Sequence, residues 1–516
     1  MQAASKPRHQ GVSLPPGHTG SSLFHRMLSE AVEAFPEVFG PLRIPERPEA
    51  FKRNYGDLLA HFEAARVASS RRAEIAQAMV TQTQKALCYV DDGQQLPLAE
   101  YMAQAESRPQ LEYSAQAGDP DLQVVVPFGG KTYRGREVLS LVEQLQELHA
   151  LSDAAAKALR WSVEHIEGQG GTLDLRGQRF VLFGAGAELA PTRALLRAGA
   201  TVLWVDLAAP SETAAVACGG GLAHAPTARD LLREPRGIAA AVDSFVQDGG
   251  PVHVGMFAYA PGASQEWRLC AAMNAILSHL EPGVVRSVSL FISPTTVPTL
   301  QPESQQGVES QLAGRPLWKA GLQRVGLLPT PGHVSHGTHK VGRCVVSLQG
   351  VSYQAAQYVS KMAAAETLAT AGLALREGVA PQGPVTVSAN TAGITKTRSL
   401  GHPLFQAAFI GASQFGVRIF EPAETRALSS LLMLHDLLNE QAPGAAGAPR
   451  EDTQQKAAAV FSQQVHGGVF ALPYALEPAI RAAAVIGLGR KPQLLLRKSS
   501  KGKSGQSKSG GAVKLA

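Results

Sequence analysis

An α/β fold with a doubly wound parallel sheet, preceded by a largely helical N-terminal domain and followed by a helical extension, is what this 516-residue sequence predicts. Three observations lead there. Helical apolar periodicity dominates residues 22–165, for instance over 58–78 and 138–166, with one short strand expected at 123–127. Gly168 to Gly171 then form a glycine-rich joint, and Arg179 to Phe183 read as a short apolar run bounded by glycine, as a buried parallel strand does. Beyond it strand and helix patterns alternate, which calls for right-handed crossovers and a parallel sheet.

In order, the pattern predicts strand 180–183, helix 188–198, strand 201–205, helix 227–247, strand 252–257, helix 264–280, strand 285–292, helix 353–376 and strand 384–388. Helical stretches follow at 404–414, 423–439 and 453–464, around a Pro/Gly/Ala linker at 441–449. The domains expected are a disordered lead (1–21), a mainly helical N-terminal domain (22–170), the sheet domain (171–400) with an insertion at 294–350, the helical extension (401–496) and a disordered basic tail (497–516). The N-terminal domain reads as a cap or a homo-oligomerisation domain. The Lys/Ser/Gly tail has too little apolar surface to fold.

Composition narrows the function classes. With 45% apolar and 17% charged residues the chain looks like a globular α/β protein. The formal charge of +6 owes much to Arg497, Lys498, Lys501, Lys503, Lys508 and Lys514, so the body is close to neutral and a nucleic-acid partner is not expected. Cys88, Cys218, Cys270 and Cys344 are scattered singly, which suits a reducing compartment. No apolar run approaches the ~18 residues that span a bilayer, and the polar N-terminus is unlike a signal peptide, so a cytoplasmic protein without membrane contact is expected.

The chemistry begins at Phe183-Gly184-Ala185-Gly186-Ala187-Glu188, which follows a predicted strand and opens a predicted helix. Gly184 permits a tight turn, and Gly186 lets backbone approach a pyrophosphate lying against the helix N-terminus. The next strand ends in Asp206, where a carboxylate can accept hydrogen bonds from adenosine ribose hydroxyls and would repel a 2′-phosphate. This is a Rossmann-like dinucleotide fingerprint. It favours NAD(H), with NADP(H) retained as the second choice should an arginine compensate.

From Arg179 to about Leu400 the order of segments resembles the short-chain dehydrogenase/reductase family. Val252 to Gly262 is similar to that family's strand ending in an Asn-Ala-Gly turn, so the resemblance places Ala258 and Gly262 near the cofactor ribose, and Asn274 resembles its structural helix asparagine. Val288 to Ser293 looks like the strand delivering the family's catalytic serine, making Ser293 the candidate; a plain turn before Pro294 is the alternative. The segment Tyr353 to Glu366 resembles the active-site helix, in which a tyrosine donates a proton and a lysine lowers its pKa while holding the nicotinamide ribose. Gln357 stands four residues before Lys361, where the family has its tyrosine. Tyr358 and Tyr353 are three and eight residues before the lysine, rotations of roughly 60° and 80° on a regular helix against about 40° for four. The run Lys361 to Glu366 is similar to enoyl reductases with wider spacings, which favours Tyr353. Val385 to Thr397 resembles the strand and loop that touch the nicotinamide, with Thr397 as the contact. The first glycine loop is about two residues shorter than the family's, and the insertion at 294–350 has no counterpart there.

Inside that insertion His333, His336 and His339 recur at three-residue intervals. Pro331, Gly332 and Gly337 argue for irregular chain, and no acidic ligand accompanies them, so a polar lid or surface loop is expected and no metal. The resemblance implies an NAD(H)-dependent oxidoreductase moving a hydride to or from a carbonyl or activated double bond of a small or acyl-chain substrate. Gln357 keeps a second expectation open: a noncatalytic module of a larger acyl-chain or polyketide assembly.

Overall fold

A computed structural model describes residues 10–115, 118–210, 220–262, 264–281, 283–372, 383–447 and 452–495. The expected tail, the end of the 353–376 helix and Cys218 lie outside these residues. Seven strands form the central sheet: β1 (Glu112–Ala115), β2 (Arg179–Phe183), β3 (Thr201–Val205), β4 (Gly221–His224), β5 (Val252–Met256), β6 (Val285–Ile292) and β7 (Thr386–Thr391). Their spatial order is β7-β6-β5-β2-β3-β4-β1, parallel throughout except that β1 runs antiparallel to β4. The chain therefore starts at central β2, winds outward through β3 and β4, then returns to the other side of β2 as β5. Ligand crevices in open α/β sheets form at such a reversal, beyond the carboxyl ends of the strands.

Side chains alternate between two cores. Val181 and Phe183 of β2 enter one, while Phe180 and Leu182 enter the other. Helices Pro235–Gln247 and Gln265–His279 cover the first face, and the N-terminal helices Gly20–Ala34, Pro48–Ala68 and Arg72–Ala86 join that core instead of keeping one of their own. Phe24 meets Trp267 edge-on at 6.2 Å and Tyr358 at 6.5 Å. Helices Glu137–Glu147, Asp153–Gly168 and Pro422–Leu438 cover the second face. The mixed α/β architecture with a mostly parallel sheet is as the sequence predicts.

Several boundaries differ, each for a local reason. Residues 10–21 are part of the fold: Gly11–Ser13 pairs with Cys88–Asp91, and Thr19 caps the first helix. The 58–78 helix breaks at 69–71. The 138–166 helix breaks before Ser152, whose hydroxyl accepts from Ala155 N at 3.1 Å and starts a new helix. The expected 123–127 strand is Val125–Phe128, in a hairpin with Lys131–Arg134. β1 and β4 were not foreseen; both are short, and β1 comes from a region whose sequence reads as mostly helical. The 227–247 helix begins only at Pro235. The 294–350 insertion holds helices Pro302–Ala313 and Leu317–Arg324, and its histidines lie in an ordered hairpin, His333–His336 with His339–Gly342, where irregular chain was expected. The C-terminal extension adds a helix, Leu476–Arg490, that the sequence reading missed.

Candidate active site

Gly184 leaves β2 with φ of +82°, a conformation that costs a residue with a Cβ, and its amide donates to Val205 O at 2.8 Å. A Cβ there would stand 2.3 Å from Ala258 N, so the turn and the chain leaving β5 touch backbone to backbone at the reversal point. Asp206 follows β3 directly, and its Oδ2 accepts from Gly186 N at 3.0 Å. The glycine turn and the carboxylate are thus adjacent. The expected helix is not there: Ala187 N and Ala190 N close turns on Gly184 O and Ala187 O, and the helix begins after Pro191 as Thr192–Arg197. The helix dipole therefore lies one turn farther from the glycines than predicted, and the amides of Gly184, Ala185, Gly186 and Ala187 all donate within the fold, to Val205 O, Asp206 Oδ2 and Gly184 O.

From Ala258 the chain leads to a second cluster. Ala260 N donates to Glu266 Oε2 at 2.9 Å, and Lys361 Nζ donates to Glu266 Oε1 at 3.2 Å. Burial, the largest single influence, opposes the lysine's charge, but the Glu266 carboxylate together with Cys270 and Tyr353 holds the ammonium above its usual range. Tyr353, partly exposed, stands beside Lys361 and Ser293. Burial pushes its phenol up to about 12, although the lysine charge and the serine hydroxyl both pull the other way. Tyr259, 47% exposed, completes the rim.

The long helix makes this possible by unwinding. Val351–Ala355 is α-helical, Ala356–Ala363 is π-helical and Ala364–Thr370 is α-helical again. A π turn takes roughly 4.4 residues, so the mixed eight-residue step from Tyr353 to Lys361 leaves the two about 10° apart instead of about 80°. Asn274 Nδ2 supports the stretch by donating to Ser360 O at 3.0 Å.

The same unwinding separates the two tyrosines. Tyr358 is buried against the N-terminal helices and donates to Glu63 Oε2 at 2.6 Å, within a network in which Glu366 joins Arg66 and Arg72. It is a core residue and drops out of the candidate site. Gln357, also buried, accepts from Ser293 N at 3.2 Å and fixes the end of β6. Ser293 Oγ pairs with Thr295 Oγ1 at 2.8 Å and accepts from Thr295 N at 3.2 Å, and Thr295 Oγ1 donates to Gln349 Oε1 at 2.7 Å.

Thr397 pairs with Ser399 at 2.8 Å, and Arg398 N donates to Glu188 Oε2 at 3.3 Å, so this loop reaches from the glycine turn toward Tyr259 across the crevice. Gly262, at φ +101°, lies on the loop after β5. Sequence reasoning missed Glu266, Tyr259, Thr295 and Gln349, and gave Gln357 no positioning role.

In the hairpin His336 pairs with His339, whereas His333 is an odd number of positions from His336 and so takes the other face. Among the described residues no group of three or more His, Cys, Asp or Glu is placed to hold a metal ion, and no helix is long and apolar enough to cross a membrane. Comparisons of the chain with protein-family models, with curated proteins and with solved structures found no match.

Proposed function

We propose that this chain is an NAD(H)-dependent oxidoreductase of the short-chain dehydrogenase/reductase kind, acting on a carbonyl or activated double bond. The observation that carries the reading is that Ser293, at the end of β6, lies beside Tyr353 and Lys361 of one helix, with Lys361 bound to Glu266, which also accepts from an amide of the loop that touches Gly184. The strand order supports it, because β4-β3-β2-β5-β6-β7 matches the 3-2-1-4-5-6 order of Rossmann sheets. The residues fit the cofactor: Gly184 leaves no room for a Cβ where backbone must come close, and Asp206 retains acceptor capacity for ribose hydroxyls beyond its bond to Gly186. Gly184, Gly186, Asp206, Ala258, Lys361 and Thr397 would hold it.

When bound, NAD(H) supplies or accepts the hydride. The chain's own part is proton handling. Tyr353, kept protonated, gives its proton to the substrate oxygen as negative charge develops there, and Lys361 stabilises the phenolate left behind. Ser293, beside the Tyr353 phenol, hydrogen-bonds the reacting carbonyl in this reading. Glu266 fixes the lysine. The test is NADH oxidation followed at 340 nm with a panel of ketones, enones and enoyl thioesters: turnover with at least one class, lost in Lys361→Met, is expected. Failure of every class with folded, NADH-binding protein refutes catalysis.

The bond between Gly186 N and Asp206 favours a second reading, a noncatalytic module whose turn is satisfied internally. That reading predicts bound NADH without hydride transfer, or no binding.

A further inference from the structure

At the amino ends of the central strands one face of the sheet is polar where burial favours apolar side chains. Val181, Val254, Val288 and Val387 stand in register across β2, β5, β6 and β7 and are all buried in the first core, as suits a parallel sheet covered on both faces. The residues before them, Phe180, His253, Ser287 and Thr386, are likewise in register and turn to the opposite face, where all but Phe180 are polar. Helix Pro422–Leu438 covers that face without filling the space over this row. A cleft of about 260 Å³ remains, with Leu434, Leu437 and Leu438 as its roof.

The polar groups of the cleft are left with hydrogens to donate. His253 Nε2 donates to Gln178 Oε1 at 3.2 Å, so Nδ1 accepts from Ser287 Oγ at 2.8 Å. The amide NH₂ of Gln178 has no partner among the described residues, and the Thr386 hydroxyl, which accepts from Ala446 N at 3.2 Å, keeps its own proton unused. Between β5 and β6 the register shifts: Val252 faces Val285 but His253 faces Ser287, so Arg286 is an extra residue on β6. A bulge of this kind re-aims the side chain it carries, and Arg286 lines the cleft with its guanidinium bonded to no described residue. No described acid lines the cleft, and burial keeps His253 neutral, so its one charge is the cation of Arg286.

Donors gathered round a guanidinium suit an oxyanion, and a carboxylate meets the guanidinium fork through two parallel bonds. The three leucines suit an apolar body on the same molecule, because a bare hydrated anion gains nothing from them. The volume falls below the roughly 300–1,000 Å³ of sites for drug-sized ligands, which restricts the occupant to a small molecule. We infer that this cleft binds a small organic acid, its carboxylate on Arg286, Gln178 and Thr386 and its hydrocarbon part beneath the leucines. The cleft lies at the opposite ends of β2, β5 and β6 from Gly184, Ala258 and Ser293, so the inference stands apart from the oxidoreductase reading.

The test is calorimetric titration of the full chain with benzoate and hexanoate, beside benzamide and inorganic phosphate. At least one of the two acids should saturate a single site, with benzamide and phosphate each about tenfold weaker or more, for want of the charge and of the apolar body respectively. Arg286→Gln, at an exposed position that the core does not need, should weaken the acid about tenfold to a hundredfold, the range for losing hydrogen bonds to a charged group. Leu437→Trp, which fills the space under the roof, should abolish binding; Arg286→Gln decides the matter if the tryptophan variant does not fold. No saturation by either acid up to roughly 10 mM, beyond millimolar affinity, overturns the inference. So do acid binding unchanged in folded Arg286→Gln, phosphate binding as tightly as the acids, and acid binding that competes with NADH.

Discussion

At the proposed adenosine end of the crevice Gly186 and Asp206 are 20 positions apart and joined by one strand pair, whereas at the proposed reacting end Lys361 and Glu266 are 95 positions apart and Ser293 arrives from a third segment. The first end is assembled by turn chemistry that adjacent residues dictate. The second depends on a helix that unwinds for eight residues and on an acid placed by another helix. A proposed site can thus be half local and half tertiary, and only the local half is open to motif reading.

The sharpest way to break this comparison is to exchange the two tyrosines' roles. Tyr353→Phe should lower turnover by about 10²–10⁴ with thermal stability nearly unchanged, read from kcat and a melting curve on the same sample. Equal activity would remove Tyr353 from the mechanism.

The pH dependence probes the same end. Burial pushes the Tyr353 phenol up to about 12, so its proton-donating form prevails throughout the neutral range and reduction should be flat from pH 7 to 9. Oxidation needs the phenolate, whose fraction grows roughly tenfold per unit below that value, and its rate should climb accordingly. A bell centred near neutrality would point to another group.

At the local end Asp206→Ala should weaken NADH roughly tenfold to a hundredfold, the range for losing hydrogen bonds to a charged acceptor, with kcat at saturation little changed. The smallest effect concerns the core tyrosine. Tyr358→Phe removes one of the donors to Glu63 and should cost about 1–2 kcal/mol in denaturant unfolding, while activity per folded molecule stays the same.

Acid stability sharpens the contrast between scaffold and crevice. Burial holds His466 neutral, its pKa down near 3 against an ordinary 6.5, and the same cause brings His253 to about 4. The unfolded chain binds these protons first, so stability is complete above about pH 6.5 and falls as the pH drops toward 4 and 3. Unfolding curves at pH 7 and 5 should show this loss, and His466→Gln should diminish it.

Strands β2 and β3 were legible because each is an apolar run closed by glycine or a charge, and Gly184 and Asp206 were legible because the turn chemistry is local. β4 was not legible, since Gly221–His224 is short and rich in small residues; β1 was not, because its pairing is remote. The late helix start after Gly186 follows from Pro191 and from Asp206 taking the Gly186 amide, a bond no sequence window contains. Tyr353 could be preferred over Tyr358 only by resemblance, because regular helical geometry puts both off the lysine's face; the π-helical stretch decides between them. Glu266 carried no signal, being one acid among many on helical patterns.

The most direct test of a dinucleotide gripped between Gly184 and Asp206 is the fluorescence of Trp204, whose ring lies 3.2 Å from where a Cβ on Gly186 would be. Titrated with NADH, the native chain should show a saturable change that disappears in Trp204→Phe and shifts to higher concentration in Asp206→Ala. No saturable change with NADH or NADPH up to roughly 1 mM, the upper end of ordinary substrate affinities, would contradict the account at its root.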